Sequence, residues 1–387
     1  MKSEWKTSTI GAACSLVTDG SHSSPKSVES GEYMVSVKDF TEYGFDFTSC
    51  RRISSDDYET LKRNGCVPEQ GDILIGKDGA RYFEDIIIYR QPERPALLSS
   101  IAILRCNKEE IQPEFLYYTL RTPGFKQDVR DNYGSGSAIP RIILKDFKRM
   151  PISYPSLEVQ KQITAVLSIL DQRIQANTKI NDNLEQQVQA YFQELFVDNA
   201  DPAWTLGTIS DLGTVVGGST PSKSKPEYYT EDGIAWITPK DLSINKAKFI
   251  SHGENDITEL GLKNSSASIM PEGTVLFSSR APIGYIAIAS GEVTTNQGFK
   301  SVVPKPEIGT AYVYCFLKHN LPVIEGMASG STFKEVSGST MKNVPAVIPD
   351  TETLTCFNDF CAPIFAHQRI LEAVSYTHLR AHETLMN

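Results

Sequence analysis

The segment LSILDQRIQANTKINDNLEQQVQAYFQELF, residues 167–196, contains neither proline nor glycine, whereas the blocks on either side are rich in both. Apolar positions recur at alternating steps of four and three residues, which is the heptad pattern of a coiled coil. This seam consists of Ile163, Leu167, Leu170, Ile174, Asn177, Asn181, Leu184, Val188, Tyr191 and Leu195. A helix over 157–197 would be about 60 Å long, and Pro202 prevents its continuation. We expect such a helix to need a helical partner, because one compact domain cannot bury a stripe of that length.

The two flanking blocks resemble each other weakly, which indicates an internal duplication. EWKTSTIG matches AWTLGTIS, and SGS at 135–137 matches SGS at 329–331. Further aligned pairs are Trp5 with Trp204, Lys38 and Asp39 with Lys240 and Asp241, Gly71 with Gly273, and Pro151 with Pro345. The landmarks occur in the same order at offsets between 194 and 202 residues. The chain therefore contains two copies of one domain.

Each copy is predicted to be an α+β domain. Strand-length apolar runs such as DILIG and YIAIA are bounded by Gly, Pro or Ser, and they do not alternate regularly with the short helical segments. We predict domains over 1–155 and 199–350, with a first long helix over 156–198 and a second over 351–374.

The second predicted helix has a similar seam, formed by Leu354, Phe357, Cys361, Ile364, Gln368 and Leu371. Pro363 falls inside it and is expected to kink the helix or to mark its true start. The chain order makes the two helices antiparallel if they pair, which gives the repeat a pseudo-two-fold axis.

Composition narrows the class of protein. Apolar residues make up 40% and charged residues 22% of the 387-residue chain, as in globular proteins. We find no apolar run of the roughly 18 residues that a membrane helix needs and no secretory signal at the N-terminus. The seven cysteines are odd in number and unpatterned, so we expect free thiols and a cytoplasmic location. The net charge of −9 is spread over both halves and does not decide whether a local surface binds nucleic acid.

Three segments carry a resemblance to a known family: YPSLEVQKQITAVLSILDQRIQANTKINDNLEQ, GGSTPSKSKPEYYTEDGIAWITPKDL and SSRAPIGYIAIASGEVTTNQGFKSVVP. The chain resembles, from residue 1 to about 374, the specificity subunits of type I restriction–modification enzymes. The resemblance implies that each repeat is a target-recognition domain for one half of a split double-stranded DNA sequence. It also implies that the antiparallel helices set the spacing and dock two methyltransferase subunits.

The same resemblance implies a subunit that is not an enzyme and holds no cofactor or metal. S-adenosylmethionine would be bound by the methyltransferase subunits, and ATP and Mg²⁺ by restriction and motor subunits. The final stretch SYTHLRAHETLMN, residues 375–387, departs from the family pattern. We interpret it as a non-native tail that cuts the second helix short.

Candidate DNA-binding residues lie in paired segments that combine cations or amides with small residues. Arg and Lys suit phosphates and guanine, and Asn and Gln suit adenine. The candidates are Lys77, Arg81, Ser135, Ser137, Arg141, Lys145 and Lys148 in the first copy, and Arg280, Asn296, Gln297, Lys300, Ser329, Ser331 and Lys334 in the second. The alternative for each is a loop residue that satisfies its own turn, and TTNQG in particular is also typical of a structural turn.

Other motifs carry weaker signals. GDILIGKD matches a phosphate-binding loop except that Asp78 replaces the Ser or Thr that holds Mg²⁺, and DILI is typical of a strand. His378 and His382 have a metal-ligand spacing but lie in the tail, and the other histidines show no catalytic companions. Asn177 and Asn181 are interpreted as amides that fix helix register, as methyltransferase contacts, or as polar residues tolerated on a wet seam. A coiled-coil adaptor that binds protein instead of DNA remains the alternative function.

Overall fold

The structure, a computed structural model, describes residues 5–134, 140–330 and 334–386. It divides into two compact units, one formed by Met1–Arg173 with His378–Asn387 and the other by Ile174–Thr377. Mixed helix and strand content confirms the predicted α+β class, and each unit contains its own sheets and core.

The first unit begins with short strands and ends with the start of the long helix. Its strands are β1 (Lys6–Thr9), β2 (Cys14–Asp19), β3 (Glu32–Val35), β4 (Arg51–Ile53), β5 (Ile73–Gly76), β6 (Ile86–Ile88), β7 (Ala96–Leu97), β8 (Ile101–Cys106) and β9 (Pro151–Tyr154). Its helices are α1 (Ile10–Ala13), α2 (Ser55–Arg63), α3 (Pro113–Arg121), α4 (Pro123–Asn132), α5 (Leu144–Arg149) and the N-terminal part of α6 (Leu157–Gln193).

Three sheets organise the described part of this unit. The largest has the order β2-β8-β5-β6 and is antiparallel throughout. β4-β3-β7 form the second, with β3 and β7 parallel, and β1 pairs with β9 in the third. The fully buried run Ile73–Ile75 packs its two faces into two separate cores. One of these cores includes α3 and Leu167 of α6.

The second unit repeats this plan. Its strands are β10 (Thr205–Thr208), β11 (Gly213–Gly217), β12 (Tyr229–Thr230), β13 (Ile234–Ile237), β14 (Phe249–Ile250), β15 (Asn255–Ile257), β16 (Val275–Ser279), β17 (Ile283–Ala289), β18 (Thr294–Thr295), β19 (Lys300–Pro304) and β20 (Pro345–Ile348). Its helices are α7 (Ile209–Leu212), α8 (Pro239–Ile244), α9 (Glu259–Lys263), α10 (Thr310–His319), α11 (Leu321–Gly326), α12 (Gly338–Lys342) and α13 (Thr351–Met386). A π-helical turn, Glu194–Asp198, ends the long helix.

The sheet orders of the second unit are β11-β19-β16-β17-β14, β12-β15-β13-β18 and β10-β20. They reproduce the first unit with β14 and β12 added as edge strands. Because β14 is an edge strand, the backbone N–H groups at its start are not used by a further strand.

Backbone hydrogen bonds confirm the predicted duplication in register. The N–H of Ile10 donates to Met150 O, and that of Ile209 to Val344 O, both at 3.0 Å. In the two-stranded sheets, Thr9 pairs with Pro151 and Thr208 pairs with Pro345. The Asp39 carboxylate accepts the N–H of Ser36, as the Asp241 carboxylate accepts that of Thr238. Gly71 and Gly273 both have positive φ, at 94° and 84°. These offsets, 199, 194 and 202 residues, are those predicted from the sequence.

The heptad seam of α6 is buried or half-buried at every position. Its start does not need a second helix, however, because Ile163 and Leu167 pack into the core of the first unit. Within the second unit, Val188 packs into the domain core with α10 and α13. The predicted helical partner is confirmed over the part of α6 in the second unit, where α13 packs against the seam, and the domain core of the first unit covers the start of the stripe.

The second helix, α13, differs from its prediction in two ways. It continues to Met386 instead of stopping after Val374, because residues 375–386 contain no proline or glycine. Pro363 lies well inside the helix. Its missing N–H leaves the carbonyl of Asp359 without an intrahelical donor, and both residues are exposed, so water can satisfy that oxygen.

Candidate nucleic-acid interface

Segments distant in sequence meet at the C-terminal end of β5 in the first unit. The N–H of Lys77 donates to Ser100 O, and its carbonyl accepts the N–H of Ile142, both at 2.9 Å. The N–H of Gly79 donates to Pro140 O at 2.9 Å. We call residues 77–82 with 140–145 the first loop face. It brings together four predicted residues: Lys77, Arg81, Arg141 and Lys145.

The structure corrects the prediction that Lys77 faces DNA phosphates. Its ammonium lies 3.4 Å from Asp19 Oδ2 and 3.5 Å from Asp78 Oδ1, and its side chain is only 8% exposed. A buried charge requires a partner because desolvation otherwise costs several kcal/mol. Asp19, at the end of β2, supplies that partner, and nothing in the local sequence around Lys77 indicates it. The strand at Ile73–Gly76 also rules out a phosphate-binding loop here.

The other basic residues predicted to bind DNA in the first copy are exposed. Arg81 is 77% exposed and pairs with Asp85 at 2.8 Å. Arg141 is exposed, and Lys145 is exposed in the first turn of α5. Lys148 is also exposed but lies a turn further along α5, where its backbone contacts Gly11 of α1. The first loop face therefore offers Arg81, Arg141 and Lys145, and Lys148 lies just beyond its defined range on α5.

The second unit builds the same junction from equivalent residues. The N–H of Ser279 donates to Gly298 O at 2.7 Å, and the Ser279 carbonyl accepts the N–H of Val336 at 2.9 Å. We call residues 279–282, 296–300 and 334–336 the second loop face. It brings together five of the predicted residues: Arg280, Asn296, Gln297, Lys300 and Lys334.

Glu335 is the residue of the second loop face that the sequence analysis missed. Its carboxylate lies 3.6 Å from Arg280 Nη1 and 3.6 Å from Lys300 Nζ. Arg280 and Glu335 are each 38% exposed and Lys300 is 16% exposed. Lys334 is exposed beside them. The alignment of SGSTFKE with SGSAIPR places Glu335 opposite Arg141, which is the signal that could have identified it.

Asn296 and Gln297 fit the structural-turn alternative better than a free base-reading pair. Asn296 Oδ1 accepts the N–H of Gly298 at 2.8 Å, within its own turn. The exposed Gln297 accepts a hydrogen bond from the Thr220 hydroxyl through its side-chain oxygen. Its amide nitrogen therefore remains the group that could face a ligand.

The serine candidates fall in two categories. Ser329 is exposed and forms an antiparallel bridge with Glu335, with N–H···O distances of 3.1 and 2.8 Å. Ser135, Ser137 and Ser331 lie outside the described residues, so their predicted role stays a prediction.

A glycine in each unit allows two loops to touch. A Cβ at Gly20 would overlap the carbonyl oxygens of Leu97 and Leu98, and one at Gly218 would overlap those of Thr295 and Asn296. In the second unit this contact seats residues 218–220 beside the second loop face. Only glycine fits such close backbone approaches.

The helices of the second unit pair in the predicted antiparallel sense. Asn177 Nδ2 donates to Ser375 Oγ at 3.1 Å and to Leu371 O at 3.5 Å, whereas Gln368 Nε2 donates to Asn181 O at 3.1 Å. Asn177 therefore has the contacts of a register-fixing amide. The Asn181 side-chain oxygen is buried without a partner, so only the backbone of Asn181 contributes to register.

The seam residues are buried or half-buried between elements of this chain, and their predicted role in docking a partner stays a prediction. The apolar side chains that α6 and α13 expose are different ones. They include Val166, Ile169 and Ile180 on α6 and Ile370 on α13, at 51, 53, 42 and 60%, and α13 also exposes Phe360, Val374 and Tyr376.

A buried ion pair joins the second unit's domain to its helices. Lys248 precedes β14, and its ammonium lies 2.7 Å from Glu185 Oε2 on α6 and 2.9 Å from Gln368 Oε1 on α13. It also sits 3.6 Å from the ring centroid of Phe365. The Glu372 carboxylate accepts the N–H groups of Lys248 and its neighbour in β14, both at 2.9 Å, so α13 caps this edge strand.

The pKa values reflect this arrangement. Burial opposes ionisation of Glu185, but the attraction of Lys248 and Lys318 outweighs it and lowers the pKa of Glu185 to about 2. Burial lowers the pKa of Lys248 and raises that of Glu372. Glu185 has two cations beside it and Lys248 only one close carboxylate, which explains why the attraction wins for Glu185 and desolvation wins for Lys248.

Comparison with known families decides what this duplicated fold is. The sequence profile described as "Type I restriction modification DNA specificity domain" matches residues 2–186 and again residues 203–373. The chain belongs to this family. The two matches coincide with the repeats whose backbone hydrogen bonds are equivalent, so each specificity domain contains one loop face.

Several relatives are named as type I restriction enzyme specificity subunits. The MjaIX specificity subunit of Methanocaldococcus jannaschii is 40% identical over 193 residues, which is 48% of this chain and 44% of that protein. The HindI specificity subunit of Haemophilus influenzae is 23% identical over 380 residues, covering 77% of this chain and 81% of the relative. The chain thus spans less than half of the first relative and most of the second.

The fold itself is matched by a solved structure. The type I restriction–modification S subunit from M. genitalium covers 100% of this chain and 96% of its own, with a TM-score of 0.56 and 16% identity. Within the described residues, no group of three or more His, Cys, Asp or Glu side chains is arranged to hold a metal ion. None of the helices in that part of the chain is long and apolar enough to cross a membrane.

Proposed function

We propose that this chain is the DNA-specificity subunit of a type I restriction–modification complex. Each specificity domain reads one half of a bipartite double-stranded DNA target through its loop face. The observation that carries the proposal is the duplicated loop face: the same backbone hydrogen bonds present different exposed side chains in the two units. A repeated scaffold with different recognition groups is what two unlike half-sites require.

The helices supply the other part of this function. α6 is 37 residues long, which corresponds to about 55 Å of helix. A helix of that length makes the gap between the half-sites part of the specificity, which a flexible linker would not do. We assign exposed apolar residues of each unit to the docking of two methyltransferase subunits, namely Val166 and Ile169 in the first unit and Ile180 and Ile370 in the second.

The chain itself is not an enzyme in this proposal. S-adenosylmethionine binds to the methyltransferase subunits, and ATP and Mg²⁺ bind to the restriction and motor subunits, so this chain carries no cofactor. All seven cysteines are free thiols, which supports action in the reducing cytoplasm.

Methylome sequencing provides the primary test. Cells expressing this chain with its cognate methyltransferase subunit should methylate adenine in one bipartite motif, and neither protein alone should do so. Assembly of the intact complex without any new methylated motif would contradict the proposal.

Salt dependence separates DNA recognition from a protein-binding adaptor. The affinity of the complex for duplex DNA should fall steeply with log salt, because phosphate contacts release counterions. Lys145→Gln should reduce the slope by about 0.9, the value for one phosphate contact. Lys108→Gln is the matched control, since Lys108 is an exposed lysine beyond the opposite end of β8 from the first loop face. Equal slopes for the two variants would remove Lys145 from the interface.

A further inference from the structure

Equivalent backbone positions in the two loop faces carry opposite charges. Lys77 and Ser279 make equivalent backbone hydrogen bonds in the two loop faces. The residue that follows Lys77 is Asp78, and the residue that follows Ser279 is Arg280. On the facing segment, Arg141 of the first unit corresponds to Glu335 of the second. The acid and the arginine have exchanged chain positions between the repeats.

The local backbone shows that this equivalence is structural. Gly79 and Ala281, the next residues in each loop, both have positive φ, at 94° and 50°. An alanine rarely adopts that conformation, so the second unit conserves the path of the loop although its side chains differ. The charge exchange is therefore a difference between two matched surfaces.

Glu335 is unfavourable for simple phosphate binding. It lies between Arg280 and Lys300, at 3.6 Å from each, and is itself 38% exposed. A carboxylate on a surface that meets a polyanion lowers affinity for every sequence alike. Such a group is useful where it orients a neighbouring cation or penalises the wrong partner.

We propose that Glu335 is a positioning residue of the second specificity domain, holding the Arg280 guanidinium for a guanine in the second half-site and disfavouring sequence-independent phosphate contacts. The inference rests on the proposed function. Arginine donates two hydrogen bonds to guanine O6 and N7, and its planar guanidinium loses less freedom when it is already held. Lys300, packed against the same carboxylate and 16% exposed, is kept from phosphate by the same contact.

The first test measures specificity and salt dependence together. The affinity of the wild-type complex, of Glu335→Gln and of Glu325→Gln is measured for two duplexes. One duplex carries the motif identified by methylome sequencing, and the other carries a scrambled sequence. Glu325 is an exposed acid on α11 of the same domain, so its variant makes an identical charge change elsewhere. Glu335→Gln should bind scrambled DNA more tightly, steepen its salt slope by about 0.9, and lower the ratio of specific to non-specific affinity about tenfold. Identical behaviour of the two variants overturns the inference.

The second test distinguishes positioning from simple stabilisation of the loop. Arg280→Glu combined with Glu335→Arg keeps the net charge and places the acid and the arginine at the chain positions that Asp78 and Arg141 occupy in the first unit. A purely structural role predicts wild-type specificity for this double variant. The positioning role predicts loss of the guanine requirement in the second half-site while the first half-site is retained, read by methylome sequencing.

The same binding data distinguish a failure of the proposed function from a failure of the role assigned to Glu335. If the wild-type complex binds motif and scrambled duplexes alike, the proposed function is overturned. If the wild type discriminates and the double variant keeps the same motif, only the role of Glu335 is overturned. Thermal unfolding of each variant confirms that the comparison is made between folded proteins.

Discussion

Replacing Lys248 with methionine is expected to destabilise the second unit by about 2–3 kcal/mol. The side chain is 6% exposed, and its ammonium bridges Glu185 on α6 and Gln368 on α13. Methionine keeps the length and the apolar stem but removes the charge and every donor. The variant therefore isolates the contribution of the ammonium group.

The magnitude follows from the groups that lose a partner. The 2.7 Å hydrogen bond to the Glu185 carboxylate is of the charged kind, worth roughly 1.5–3 kcal/mol. The buried oxygen of Gln368 loses its donor, which costs about 1–3 kcal/mol. Relief of the ammonium's desolvation returns part of this sum. Glu185 also keeps Lys318 at 2.6 Å, so its charge is not left alone.

Urea unfolding of the full chain measures this change. Trp204 and Trp236 lie in the second unit and Trp5 in the first, so a Trp5→Phe background confines tryptophan fluorescence to the unit of interest. With a denaturant slope of about 1–3 kcal/mol per molar urea, the midpoint should fall by about 1 M.

Lys318→Met is the matched control. Lys318 binds the same carboxylate but is 37% exposed, so its loss should cost less than about 1 kcal/mol. A Lys248→Met protein as stable as the wild type would refute the reasoning, because the Glu185 carboxylate and the Gln368 oxygen that lose their donor would then cost no more than the relief of the ammonium's desolvation returns. A double-mutant cycle with Glu185→Gln should show a coupling of at least about 1 kcal/mol.

Three further outcomes are expected. Because the pKa of Glu185 is lowered from 4.5 to about 2, its ionisation should contribute about 3 kcal/mol to the free energy of unfolding. This contribution is fully present above pH 4.5 and is lost as the pH falls towards 2. Stability measured against pH should therefore fall less steeply over this range in Glu185→Gln. Phe357→Ala, at a fully buried position of the core, should cost about 3–5 kcal/mol by urea unfolding, and Phe360→Ala, at a 39% exposed position on the same helix, much less. Gly218→Ala should weaken binding to the motif duplex by separating its loop from the second loop face, whereas Gly291→Ala, where a Cβ meets nothing within 4 Å, should bind like the wild type; equal affinities would show that the close approach is dispensable.

Local sequence patterns were sufficient to predict the architecture of the chain. The duplication, the strand-length runs and the α6 seam depend on the order and spacing of residue types, and the structure confirms them in register. The end of α13 could not be predicted, because resemblance to a family says nothing about a stretch that departs from it. Pro363 is tolerated for a reason visible only in the tertiary structure, namely that it and Asp359 both lie at exposed positions, where water can satisfy the carbonyl that loses its donor.

The same distinction between sequence and tertiary structure applies to the candidate interface. The sequence by itself determined which segments are candidates for recognition, because the repeat aligns them and their residue types suit phosphates and bases. Only the tertiary structure decided which side chains are available. Lys77 is neutralised by Asp19 from another strand, and Arg280 meets Glu335 from another loop. The availability of a charge depends on its nearest opposite charge in space, and folding brings that partner from a distant part of the chain.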